Sequence, residues 1–207
     1  MNRYWPLALA LIFCGEISAQ SLRMVAQPNY PPQQASSVYQ PLVDFIGDQI
    51  EREVVLVTPR SFQHHWLDTR RGEPFDLALE DAPITDYRIE RQGFVPLVRV
   101  AETQTYSLTV ADPTYDSVED LIGVSIATMP APSTGYLILL DWFPNPLRQP
   151  SIRSRASRWQ DAVQDIFAYQ TEAAIAPTRL AGQYPQLAQL RTSDPLPGPA
   201  ISASPEL

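Results

Sequence analysis

The chain has 207 residues with 23 acidic against 15 basic side chains, a net charge of −8, and every basic residue apart from histidine is an arginine. That balance argues against nucleic acid and anionic membrane surfaces as partners, but not against a small anion, because a buried site answers to its local donors. Cys14 is the only cysteine and falls within the leader, so the rest of the chain folds without disulfides.

Arg3, the apolar run Pro6 to Phe13 and the small-residue site Ile17-Ser18-Ala19 read as a secretory signal peptide, residues 1–19, cut after Ala19. The run is too short for a membrane span, which needs about 20 residues. Cys14 raises the question of a lipid anchor, but Phe13 before it is a poor match to the small residue that lipoprotein processing prefers. The expectation is a soluble exported protein. The remaining length fits one large domain or two small lobes.

Beyond the leader, short β-rich runs alternate with helical patterns, which points to an α/β fold. The spacing predicts a strand at Leu22–Ala26, a proline-rich turn at Pro28–Pro32 and an amphipathic helix over Ser37–Glu51. A strand follows at Val54–Val57, then a helix from Phe62 to Arg71 ended by Gly72. Phe75–Leu79 reads as a strand, Ile84–Gln92 as a helix ended by Gly93, and Phe94–Arg99 as extended. Residues 101–105 read as a first crossing between lobes, leading to the extended stretch Tyr106–Val110. A helix turn near Val118–Leu121, a strand at Val124–Ala127 and helices at Tyr136–Trp142 and Trp159–Tyr169 come next. After a strand at Glu172–Ala176, Leu187–Thr192 is expected to lead back to the first lobe, and Pro195–Leu207 resembles no finished element. The lobes are thus expected at 20–103 and 104–191, with 192–207 as a return segment.

Pro130-Ala131-Pro132-Ser133-Thr134-Gly135-Tyr136 lies between a strand and an apolar helical run. Free N–H groups and the helix dipole at such a helix start suit an oxyanion, and two hydroxyls and a glycine allow close approach. The plainer role for Ser133 or Thr134 is an N-cap.

The chain resembles the phosphate/phosphonate-type periplasmic solute-binding proteins of ABC transporters, within the type 2 periplasmic binding fold. The likeness rests on Asn29-Tyr30-Pro31-Pro32 with Tyr39 to Ile46, on Arg71 to Leu79, and on Tyr87 with Arg91 to Arg99. Glu119 to Ala127 and Pro132 to Tyr136 complete it. The resemblance implies two α/β lobes joined by crossing strands with a ligand cleft between them. It also implies that Ser133, Thr134 and the N–H of Gly135 grip an anionic head, with Tyr30 reaching it from the first lobe. Arg158 or Trp159 stands where family members often carry a histidine, and Tyr169 to Glu172 replaces a Gly-x-x-Asp. The chain stops at Leu207 where the family normally adds helix, so a shortened first lobe is expected.

Each further candidate carries two readings. Tyr30 is a ligand donor or a packed turn residue. Glu80 and Asp81 follow a strand at its C-terminal end, where open α/β sheets place ligands; they would suit the amine of a zwitterion, or are solvated loop charge and a helix cap. Glu172 could orient an amine or pair with Arg158. Arg158 could hold an oxyanion or be a surface charge. Trp159 could close a cleft wall by stacking on a ligand, but its apolar bulk favours core packing. His64-His65 diverge by about 100° on a helix, cannot share a metal and are expected on the helix surface, with Trp66 nearer the core. No Gly-x-Ser-x-Gly, P-loop or His-Glu-x-x-His is present, so neither catalysis nor a cofactor is expected.

The expected role is capture of a small anionic or zwitterionic ligand by a monomer that serves an ABC permease. The alternatives are a periplasmic sensing or accessory protein acting on a membrane partner, and a relative that no longer binds ligand.

Overall fold

Val54-Val55-Leu56-Val57 and its neighbours are short, β-branched and apolar, and such runs become strands once helices cover both faces. A computed structural model describes residues 20–207; the leader, with Cys14 and the cleavage site, lies outside the described residues. The first part of the chain runs β1 (Leu22–Ala26), α1 (Pro32–Ile50), β2 (Val54–Val57), α2 (Phe62–Arg71), β3 (Leu77–Glu80), α3 (Ala82–Gln92) and β4 (Val95–Arg99). The second runs β5 (Tyr106–Val110), a 3-10 turn at Glu119–Leu121, β6 (Ser125–Ala127), α4 (Thr134–Trp142), β7 (Ser151–Arg153), α5 (Trp159–Phe167), β8 (Ala173–Pro177), α6 (Thr178–Ala181) and β9 (Ala188–Thr192). β10 (Ala200–Ala203) follows.

Two five-stranded sheets result, ordered β2-β1-β3-β10-β4 and β7-β6-β8-β5-β9. In each, three strands pair in parallel through helical crossovers, and a strand from outside that run enters antiparallel beside the third. The chain therefore has two α/β lobes. It crosses between them at residues 100–105 and returns at 193–199, and Gln104 pairs with Leu196 across the two crossings.

Two expectations are corrected here. Residues 188–192 do not simply lead back: they form β9, paired with β5 in the second sheet. The tail is not unstructured, because Ala200–Ala203 sits between β3 and β4 as an inner strand of the first sheet. Its composition is weak, but two waiting strand edges satisfy its backbone.

The core of the second lobe gathers Leu108, Ile126, Leu139, Val163 and Ile175, and it takes in Phe62 and Ile84 from the first lobe. Phe62 is fully buried at the start of α2, and its N–H donates to the Ser157 carbonyl at 3.4 Å. The first lobe has smaller clusters on each face of its sheet, around Met24 and Leu77 under α1 and around Val25, Phe75 and Phe94.

Candidate ligand-binding cleft

The loop after β6 turns into α4 with Ser133 as its N-cap. The Ser133 hydroxyl donates to the Met129 carbonyl at 2.9 Å and accepts from the Tyr136 N–H at 3.4 Å. Its proton is committed inside the lobe, so Ser133 cannot donate to an anion while that bond stands. Thr134 is the first helical residue, and among the described residues no acceptor meets the N–H groups of Thr134 or Gly135. These are the free donors that a helix N-terminus presents, in the positive field of its dipole.

Gly135 has a second reason to be glycine. A Cβ there would come within 2.8 Å of Trp159 Cζ3 and 3.1 Å of Ile175 Cγ2. Trp159 is buried below α4 and meets Tyr106 edge to face at 5.3 Å. It is a packing residue that supports the helix start.

Across the cleft, Asp81 opens α3 from the first lobe. Gln27 holds it from two sides: Gln27 Nε2 donates to Asp81 Oδ2 at 2.7 Å, and the Asp81 N–H donates to Gln27 Oε1 at 3.1 Å. Among the described residues no well-aligned donor meets the buried Asp81 Oδ1. Burial pushes the Asp81 carboxyl up to about 6, with the nearby Glu80 charge adding to the rise and Gln27 opposing it. Tyr106, on β5, sets its hydroxyl between Asp81 and Thr134; burial and then the Asp81 charge hold that phenol well above its usual range. Asp81, Tyr106 and Thr134 line one interlobe cavity of about 400 Å³, which continues along α4 past Leu137 and Trp142 to Arg191.

The other candidates lie elsewhere. Glu80 is buried beneath the sheet, and both its oxygens are taken: Arg88 Nε donates to Oε2 at 2.7 Å, and His65 Nε2 is an ion contact at 2.9 Å from Oε1, too poorly aligned for a good hydrogen bond. Burial alone would raise this carboxyl, but the facing His65 and the Arg88 guanidinium outweigh it and hold it below the usual carboxylate range. Phe94 faces the Arg88 guanidinium at 4.9 Å. Glu80 is thus a structural ion partner, and His65 is buried with it rather than on the surface, while Trp66 is only half-buried.

Glu172 precedes β8 at the N-terminal end of the parallel strands, opposite the cleft, and accepts from the Ser125 N–H at 2.8 Å and from the Ser125 hydroxyl. It cannot reach the α4 start from that end. Arg158 opens α5 and pairs with Asp161 at 3.4 Å; it does not line the cavity. Tyr30 is 37% exposed and stands edge-on to Tyr39 at 5.9 Å, also outside the cavity wall.

Sequence reasoning passed over Gln27, Tyr106 and Phe62. Tyr106 carried one available signal, a tyrosine opening the buried strand after the first crossing. Gln27 and Phe62 carried none.

Solved structures share this architecture at low identity, which establishes the fold. PhnD1 from Prochlorococcus marinus, in complex with methylphosphonate, is 10% identical with a TM-score of 0.73, over 89% of this chain and 76% of that one. A binding protein component of an ABC phosphonate transporter from Pseudomonas aeruginosa is 16% identical with a TM-score of 0.70, over 90% and 69%. A Salmonella typhimurium periplasmic binding protein with high arginine specificity is 13% identical with a TM-score of 0.66, over 91% and 87%. Comparison with curated protein sequences returns no match. A family model described as "ABC transporter, phosphonate, periplasmic substrate-binding protein" matches residues 24–207, and the chain belongs to that family of solute-binding proteins.

Proposed function

We propose that this solute-binding protein captures a phosphonate- or phosphate-like oxyanion at the start of α4 and delivers it from the periplasm to an ABC permease. The observation that carries the reading is the start of α4, where the Thr134 and Gly135 N–H groups meet no acceptor among the described residues and Thr134 lines the same cavity as Tyr106 and Asp81. Capture is noncovalent. N–H and O–H donors replace the ligand's hydration shell, and a protonated Asp81 adds one more donor. Micromolar affinity needs about 8 kcal/mol, and a few charge-assisted hydrogen bonds of about 1.5–3 kcal/mol each supply it. Of the eight candidates first read from the sequence, this reading keeps Asp81, Thr134 and Gly135.

The lobes would close about residues 100–105 and 193–199. Gly198 suits a tight pair of crossings, because a Cβ there would meet the Glu102 carbonyl at 2.7 Å. Calorimetric titration with phosphate, phosphite and methylphosphonate tests the reading. Micromolar binding of at least one, weakened tenfold or more by Thr134→Val, is expected. Absence of binding by all three, and by longer alkylphosphonates, would refute it.

A further inference from the structure

The cavity is too large for an oxyanion alone. Its volume of about 400 Å³ would hold about a dozen waters at the liquid density of about 30 Å³ each, whereas a phosphorus and its oxygens displace only a few. The excess space has a direction. Thr134, Leu137, Ile138 and Asp141 line it at helical spacing on one face of α4, with Trp142 after them. From Thr134 to Trp142 that face is about 12 Å long at about 1.5 Å per residue.

The two ends differ in chemistry. The inner end is polar and buried, with Thr134, Tyr106 and Asp81. The middle is apolar: Leu137 and Ile138 face Leu196 and Pro197 of the return crossing. Leu137 is 41% exposed, an apolar side chain left uncovered on a cavity wall. At the mouth, Asp141 and Asp194 set two carboxylates against the one guanidinium of Arg191, which is itself held 4.7 Å over the Trp142 ring. A second anionic group would meet net negative charge there.

We propose that the ligand is an organic oxyanion with an uncharged apolar substituent, four carbons or longer or an aromatic ring, lying along Leu137, Ile138 and Trp142. This rests on the assignment of the anionic head to the α4 start, and extends it to what the head carries. Each further methylene placed against this wall adds about a threefold to fourfold gain in affinity if fully buried.

Calorimetric titration with methyl-, butyl-, phenyl- and 3-carboxypropylphosphonate tests the inference. Butyl- or phenylphosphonate should bind at least tenfold tighter than methylphosphonate, and the carboxylate-ended chain should lose that gain. Leu137→Asp, at an exposed position that leaves the core untouched, should bring the butyl-to-methyl ratio close to one. Equal affinities of methyl and butyl compounds for the unaltered protein would overturn the tail site while leaving the oxyanion reading in place. Length-dependent binding of alkylsulfonates or alkylcarboxylates without any phosphonate binding would support the tail site and overturn the phosphorus head. Binding of none of these compounds would overturn both.

Discussion

Trp159 lies against the bare Cα of Gly135, so closely that a methyl group at Gly135 would come within 2.8 Å of the indole. The indole is in turn held edge-on by Tyr106, the residue whose hydroxyl faces Asp81 and Thr134. The start of α4 is therefore set by packing beneath it. Gly135→Ala should destabilise the fold by about 1–3 kcal/mol, the usual cost of overpacking, and weaken oxyanion binding at least tenfold. Trp159→Phe removes the ring atoms that clash, so the double mutant should regain part of both losses. A double-mutant cycle by thermal melting and titration measures this; additive losses would mean that the two residues are not coupled.

Ser133 and Thr134 should separate cleanly. Ser133→Ala removes a helix cap and a bond to the Met129 carbonyl, at about 1 kcal/mol of stability, with little change in ligand affinity. Thr134→Val removes a hydroxyl facing the cavity and should act on affinity with little effect on melting. The reverse pattern in titration and melting would reassign the two hydroxyls.

Asp81 predicts a pH dependence of known sign. Its folded value is raised from the ordinary 3.8 to about 6, so the folded chain holds this proton more tightly than the unfolded chain. The stabilisation is full below about pH 3.8 and is lost as pH rises through about 6. Asp81→Asn keeps an acceptor for Gln27 without the charge. It should therefore be more stable than the unaltered protein at pH 8, by about 1–3 kcal/mol, and equal to it near pH 3.5. Affinity for an anion should fall in the unaltered protein relative to Asp81→Asn as pH rises from 5 to 7. Chemical denaturation and titration across that range check both, and a constant ratio of affinities would remove Asp81 from the site.

Glu80, one residue earlier, should behave in the opposite way. Glu80→Ala strands the Arg88 guanidinium and His65 in the interior, a loss of about 3–5 kcal/mol. Its lowered carboxyl stabilises the fold above the usual glutamate range, and that contribution disappears as pH falls through its folded value. Ligand affinity of the remaining folded protein should be little changed. A large affinity loss with unchanged melting would return Glu80 to the ligand site.

Phe62 tests lobe closure. It belongs to the first lobe but is buried in the core of the second, so a motion that parts the lobes there would expose it. Phe62→Ala should enlarge the radius of gyration of the ligand-free protein in solution scattering, and ligand should restore it in part. An unchanged radius would mean that Phe62 takes no part in holding the lobes together.

The first sheet's parallel strands and α2 were legible because local signals agreed: apolar runs and a glycine stop at Gly72. β10 was not, since Ala200-Ile201-Ser202-Ala203 has one large apolar side chain in a proline-rich tail. It is a strand because β3 and β4 offer it two edges. β7, three residues at the edge of the second sheet, was missed for the same lack of local signal.

The sequence by itself determined that residues 130–136 open a helix with unpaired donors, because N-cap chemistry is local. It also determined the α/β class and, through resemblance, the family. Only the tertiary structure decided which side chains are free to use those donors' neighbourhood. Glu80 and Asp81 are consecutive at the end of a strand and point to opposite sides; packing of α2 and α3 turned Glu80 onto Arg88 and left Asp81 at the cleft. Likewise the Met129 carbonyl, not any feature of the Ser-Thr pair, took the Ser133 proton and left Thr134 facing the cavity.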